Sequence, residues 1–478
     1  MADPEDPGLP IKLGPCSNGE YPPRPPTPVT REAARRARRL ADDRARRRGM
    51  SRRDFLLSAM GAATGLVALS ACADDESGGR AGGRYDVPDE ATTDPDAATS
   101  VVGSDEPVID VQTHFLEYPD GAPPSSFGSG FPQARCDADD PNDCFGIDRW
   151  VAEVFGRSDT TVAVISAVPV LGDPNPLSAD LMVRARDQVA EQCGEGRVLV
   201  QGHGVPNVGD LGAALAAMED EAARYPLVAW KAYTHAGPGW RLDDGDPRGA
   251  PVGTAFLDKV EELGVDIVCV HKGLSGGDPF ASPADIGPAA AARPGLRFCV
   301  YHSGFEGRVT EGPYDPAGAG VDRLVASLAG AGVGPGGNVY AELGSTWRTV
   351  MGSPTEAAHV LGKLLLAVGE DNVLWGTDSI WYGSPQDQIQ AFRTFAISDE
   401  LQERHGYPAL TDGVKSKILW RNAARLHAIE PATMPCRLDA DEVEGLRRSL
   451  PAANRTYGPQ TAAAARALFA AEHPWAVA

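Results

Sequence analysis

Seven residues in this 478-residue chain carry most of its chemical promise. Gln112 and His114, Lys231, His271, His302, Glu342 and Asp378 each stand at or near the end of a short run rich in Val, Ile and other apolar residues. One such histidine reads as a satisfied core residue. Three at matching ends, with Asp and Lys also in place, read as a site for Zn²⁺ or a similar divalent cation, which imidazole and carboxylate together suit. Gln112 and His114 are two apart, so on a strand both point the same way.

The elements that must position these groups follow from periodicity. Strands are expected at 108–114, 161–169, 198–206, 227–233, 266–272, 297–303, 338–344 and 373–379. Amphipathic helices are expected between them, for example at 179–192, 211–225, 253–263, 322–329 and 355–368. Strand then helix, repeated eight times, predicts an α/β fold of the (β/α)8 TIM-barrel type over 107–429. In such a barrel the strand ends converge on one mouth. A doubly wound sheet would follow its first strand with a glycine-rich loop, whereas Thr113-His114-Phe115 stands there. His203, His235, Glu342, Arg348 and Trp381 are further mouth residues expected to bind a small-molecule substrate, Arg348 being suited to a carboxylate. The Pro-, Gly- and Asp-rich stretch 115–147 is expected to loop over the mouth, and 430–478 to form a helical tail.

The front of the chain has a different character. Residues 1–53 hold 13 Lys+Arg against 7 Asp+Glu, and the rest hold 31 against 59. A body this acidic excludes nucleic acid as a partner and would be repelled by anionic lipid. Residues 1–50 read as a basic extension, and Met50 offers an alternative start. Ser51-Arg52-Arg53, followed by an uncharged stretch at 55–71, resembles a twin-arginine export signal. Leu69-Ser70-Ala71-Cys72 resembles a lipobox, so 51–72 reads as the signal and Cys72 as a lipid-anchor site. The expected location is periplasmic or cell-surface, with the membrane touched only through signal or lipid. Residues 73–106 are expected to be a disordered linker. Cys136 and Cys144 are close enough in sequence for a local disulfide.

The set Ile109-Asp110-Val111-Gln112-Thr113-His114-Phe115, His271, His302 and Gly376-Thr377-Asp378 resembles the amidohydrolase superfamily, most closely its amidohydrolase-related branch. The resemblance implies that His114, His271 and Asp378 hold a metal, zinc foremost and manganese as an alternative. It implies that His302 is a ligand or an acid/base, that Lys231 is a bridge if carboxylated, and that the barrel pairs as a homodimer. The family's first strand carries an HxH pair, whose first member is Gln112 here, and an amide is the poorer ligand. Three arrangements follow: Gln112 as a weak fourth ligand, a metal shifted toward Lys231, His271 and His302, or a metal-free site.

The implied reaction is hydrolysis of a C–N or C–O bond by metal-activated water, with Asp378 moving the proton and His302 steadying the oxyanion. Non-oxidative decarboxylation on the same site is the alternative, and a non-catalytic binding lipoprotein another. Gly273-Leu274-Ser275-Gly276-Gly277 matches a nucleophile elbow with Asp378 and His427 downstream, but Asp278-Pro279 stands where the elbow's helix must start. His359, His405, His427 and His473 are expected to be structural.

Overall fold

The computed structural model describes residues 7–119, 141–170, 174–207, 209–429 and Ala463. Eight strands form one sheet: β1 (Ile109–Thr113), β2 (Val162–Ile165), β3 (Val198–Gly204), β4 (Leu227–Tyr233), β5 (Ile267–His271), β6 (Arg297–Tyr301), β7 (Val339–Glu342) and β8 (Val373–Leu374). Each is parallel to the next. The sheet closes on itself where Val111 N donates to Trp375 O (3.0 Å), Asp378 N donates to Gln112 O (2.9 Å) and Thr113 bridges Ser379. The expected TIM barrel is therefore the observed fold.

The strands form because their residues are apolar on both faces, the pattern a sheet shows when helices cover its outside. Every residue of β1, β2 and β5 is buried. Inside the cylinder the Tyr301 hydroxyl of β6 donates to Val111 O of β1 at 2.6 Å. The intervening helices start at side-chain caps, Ser178 for Ala179–Cys193 and Asp210 for Leu211–Arg224, each accepting from an otherwise orphaned backbone N–H.

The N-terminal region departs from the sequence reading. Residues 73–106, expected to be disordered, are built into the fold. Helix Ala59–Ser77 runs into them, Gly83–Tyr85 pairs antiparallel with Phe395–Ile397, and helix Pro95–Val102 is capped by Asp94. Widely spaced apolar anchors do this within a polar sequence: Ala91, Ala98 and Val102 are buried, and Tyr85 packs edge-on against Phe395 with ring centroids 5.4 Å apart.

The basic extension 1–50, expected to lie outside the domain, likewise packs on it wherever it is described. Helix Pro28–Arg48 buries Ala33, Ala37, Ala41 and Ala45, one four-residue stripe, against helix Ala59–Ser77. Cys16, within this extension, and Cys72, read from the sequence as a lipid-anchor site, are both buried. Among the described residues no helix is long and apolar enough to cross a membrane. Cys144 is disulfide-bonded. Cys136, His473, the loop at 120–140 and nearly all of the tail 430–478 lie outside the described residues.

Candidate active site

The ends of β5, β6, β7 and β8 turn sharply into the mouth. Leu274 and Ser275 after β5, His302 and Ser303 after β6, Ser345 after β7 and Asp378 after β8 all adopt positive φ, between 39° and 64°. Such conformations cost non-glycine residues on the order of 1–3 kcal/mol each and gather where a site over-determines the backbone. Strand β1 contributes differently. A register shift lies between Asp110 and Thr113, and the Asp110 carboxylate accepts from the backbone of both Gln112 (3.1 Å) and Thr377 (3.0 Å), tying the first strand to the last.

Asp378 is the hub. Its Oδ1 accepts from Gln112 Nε2 at 3.0 Å and faces His114 Nε2 at 3.3 Å. Its Oδ2 accepts from Asn18 Nδ2 at 3.0 Å and from the Ser345 hydroxyl. Burial pushes the carboxyl up, but donation from His114, the neighbouring His302 and the Ser345 hydroxyl outweigh it and hold Asp378 below the ordinary aspartate value. It is ionised at neutral pH.

The rings of His302 and His271 are neutral at neutral pH. His302 donates through Nδ1 to Gly344 O at 2.8 Å; a carbonyl only accepts, so Nδ1 carries the proton and Nε2 presents its lone pair. That Nε2 lies 3.1 Å from His271 Nδ1. Burial pushes His302 down to about 4, and burial with the adjoining His235 and His302 pushes His271 well below the ordinary value. Burial also takes His359 and His427 down to about 4. Unfolded histidines bind protons near 6.5, so between that pH and about 4 the unfolded chain binds more protons than the folded one. These histidines therefore withdraw stability as pH drops from 6.5 to about 4, while the raised carboxyls of Asp110 (about 7) and Glu342 oppose them; His427→Gln is expected to reduce the acid-side fall of Tm in a pH series.

The sequence-predicted residues divide into three groups. His114, His271, His302, Asp378 and Gln112 form one contiguous cluster, and His235 joins it through Ser275, whose Oγ lies 3.1 Å from His235 Nε2 and 2.9 Å from His271 Nε2. Trp381 stacks on His114, ring centroids 5.6 Å apart. Lys231 is buried with no hydrogen-bond partner for Nζ, which sits 3.8 Å from the Tyr301 ring centroid; burial lowers it to about 8. That leaves an appreciable neutral fraction of amine at neutral pH.

Three residues do other work. Glu342, expected to bind substrate, accepts from His302 N (3.0 Å) and Gly344 N with its two oxygens and so fixes the turns. His203 is committed on both ring nitrogens, Nδ1 to Glu221 (2.8 Å) and Nε2 to Leu177 O (3.2 Å) and Asn175 (3.0 Å). His203→Ala is therefore expected to cost about 2 kcal/mol in chemical denaturation while leaving metal content unchanged. Arg348 is buried, its guanidinium 6.0 Å from the Tyr382 ring centroid, with Cys16 of the N-terminal segment beside it.

Gln112, expected as a weak ligand, is turned to donate. Its Nε2 points at Asp378, and turning the amide over would set an oxygen against an anionic oxygen at 3.0 Å. Its Oε1 instead packs toward Gly344, where an added Cβ would lie 2.2 Å from it. The nucleophile elbow is not assembled either. Ser275 faces His271 and His235, whereas His427 sits beside Arg297, at the opposite end of the barrel where β6 begins.

What the sequence did not reveal is Asn18, Glu20 and Tyr21. Among the described residues, the ligand-type atoms that converge within 4.8 Å belong to Glu20, His271 and His302. Glu20 Oε1 lies 3.5 Å from His271 Nε2. Burial first, and then the Asp378 charge, push its carboxyl up to about 8. No motif marks Glu20; it lies in a Pro-rich stretch more than 80 residues before β1. Neutral imidazole lone pairs, carboxylates and an unpartnered buried His114 Nδ1 make a donor set that fits a divalent cation.

Among solved structures, the chain is similar to 2,6-dihydroxybenzoate decarboxylase from Rhizobium (17% identity, 68% of this chain and 99% of that one, TM-score 0.40). It is also similar to 5-carboxyvanillate decarboxylase from Sphingomonas paucimobilis (14%, 68% and 99%, 0.37) and to an amidohydrolase from Burkholderia multivorans with bound zinc (16%, 68% and 100%, 0.39). No curated protein matches. The sequence model of the amidohydrolase family matches residues 109–428, the whole barrel from β1 to helix Asn422–Leu426, and the chain belongs to that family.

Proposed function

We propose that this protein is a metal-dependent hydrolase acting on a C–N or C–O bond of a small organic substrate. The observation that carries the reading is the Asp378 carboxylate, held by Gln112 and facing His114, beside the paired rings of His302 and His271 at the C-terminal mouth of the barrel. His271 and His302 would hold the ion. When bound, a divalent cation lowers the pKa of its water toward neutrality and polarises a carbonyl. The protein's own groups do the rest. Asp378 takes the proton of the attacking water and returns it to the leaving group. The Gln112 amide and the Ser345 hydroxyl keep the two Asp378 oxygens aimed. Gly344 O fixes the His302 tautomer, as outer partners of metal-binding imidazoles do.

The test is elemental analysis of the purified full chain, coupled to a panel of amides, lactones and hydroxybenzoates scored for hydrolysis and for carbon dioxide release. The expected result is about one Zn²⁺ or Mn²⁺ per chain, lost on His271→Ala, with hydrolysis and no carbon dioxide. A metal-free wild type overturns the reading, and carbon dioxide release replaces it with decarboxylation. Export rests on sequence alone: Arg52-Arg53, the apolar stretch and Cys72 support delivery by the twin-arginine route and a lipid anchor. Mass spectrometry of the mature N-terminus tests it; a chain still carrying residues before Cys72 rejects the anchor.

A further inference from the structure

We propose that Glu20, delivered by the N-terminal segment, is itself a metal ligand and supplies the donor that Gln112 cannot; the inference rests on the metal-dependent reading above. The segment is pinned across the mouth at several points. Lys12 Nζ donates to Tyr382 O (3.0 Å) and Ser384 O (2.6 Å). The Tyr21 hydroxyl bonds those of Thr349 (2.9 Å) and Tyr382 (3.1 Å). Arg24 Nη1 donates to both oxygens of Glu356 (2.8 and 2.7 Å).

Glu20 is set between these anchors. Its carbonyl accepts from Gly276 N (3.1 Å) and its own N donates to Asn18 Oδ1 (3.0 Å). Asn18 Nδ2 then engages Glu20 Oε2 at 2.8 Å and Asp378 Oδ2 at 3.0 Å. One carboxylate oxygen is thus held, and the other, Oε1, faces His271 Nε2 and Ser275 Oγ at 3.5 Å each and His235 Nε2 at 4.0 Å. Charge makes the same case. A pair of carboxylates, Glu20 and Asp378, would together balance the charge of a divalent cation, which lowers the cost of burying the ion. With Gln112 turned to donate into Asp378, β1 offers only His114, and a carboxylate from outside the barrel fills out the donor set.

The consequence is that residues 8–24 are part of the active site, so this inference and a lipid anchor at Cys72 exclude each other, and a mature chain that begins at Cys72 overturns the inference. The experiment compares the full chain with Glu20→Gln, Glu20→Asp and His271→Ala, using Zn²⁺ titrated against a chromogenic chelator and the visible spectrum of the Co²⁺-loaded protein. Glu20→Gln is expected to weaken Zn²⁺ by at least about tenfold and to change the Co²⁺ bands, with Glu20→Asp recovering part of both. The Asp variant, which keeps the charge, separates ligand loss from misfolding. A Glu20→Gln protein with wild-type Zn²⁺ affinity and Co²⁺ spectrum, while His271→Ala loses its metal, overturns this inference alone. A wild type that binds neither ion overturns the metal-dependent reading with it.

Discussion

Asp378→Asn is expected to lower kcat/KM about 10³-fold on the substrate identified by the panel, almost entirely in kcat, because it removes the group assigned to proton transfer. The side chain keeps its size, so Trp381 and His114 stay packed. The cost to the fold is local. One amide nitrogen replaces an acceptor, and at the Oδ2 position it would oppose the Asn18 Nδ2 donor at 3.0 Å. That donor clash is worth about 1–2 kcal/mol. Kinetics and chemical denaturation on the same preparation separate the two effects. A variant within tenfold of wild type would show that Asp378 positions the site rather than moving the proton. Ser345→Ala serves as the intermediate case: it strips one donor from Asp378 and leaves the carboxylate, so its loss should be about tenfold and largest near the acidic limb of the pH profile, where a less stabilised Asp378 protonates sooner.

The barrel was legible in the sequence because its signals are local. Runs such as Ile267–His271 and Arg297–Tyr301 are apolar, short and punctuated, and a histidine closes the first and follows the second. The cluster itself was legible in the same way, since fold class alone brings strand ends together. Three things were not. The Gln112 amide could be read as a poor ligand or a donor until the partner on its far side, Asp378, was known. Glu342 and His203 looked like mouth residues because residue type and register were the only clues, whereas their partners, backbone N–H groups and Glu221, depend on turn geometry. Glu20 was invisible because the segment bearing it has no periodicity; it is held by side-chain contacts to residues more than 250 positions away, such as Arg24 to Glu356 and Lys12 to Ser384. The packing of helix Pro28–Arg48 was masked by its many arginines, which line the exposed side, while the buried stripe is alanine.

Glycine placement gives the second large expected effect. Gly376 lies between β8 and Asp378, and a Cβ there would meet Glu342 Oε1 at 1.7 Å and Gln112 Cβ at 3.3 Å. The carboxylate cannot step aside, because the same Oε1 accepts from Gly344 N and Oε2 accepts from His302 N. Yielding at Gly376 therefore means releasing the backbone of His302, and with it the ring whose lone pair faces His271. Gly376→Ala is expected to destabilise the protein by about 3 kcal/mol, the upper end of ordinary overpacking, and to weaken Zn²⁺ binding although no ligand has been changed. Gly330 provides the contrast. It sits in helix Val321–Ala331 with nothing within 4 Å of an added Cβ, so Gly330→Ala should stabilise by about 0.5–1 kcal/mol and leave metal affinity alone. Denaturation midpoints and chelator competition on the two variants give the comparison. If Gly376→Ala keeps wild-type stability, the link from Glu342 to His302 is not rigid, and the left-handed turn at His302 must be held by other contacts.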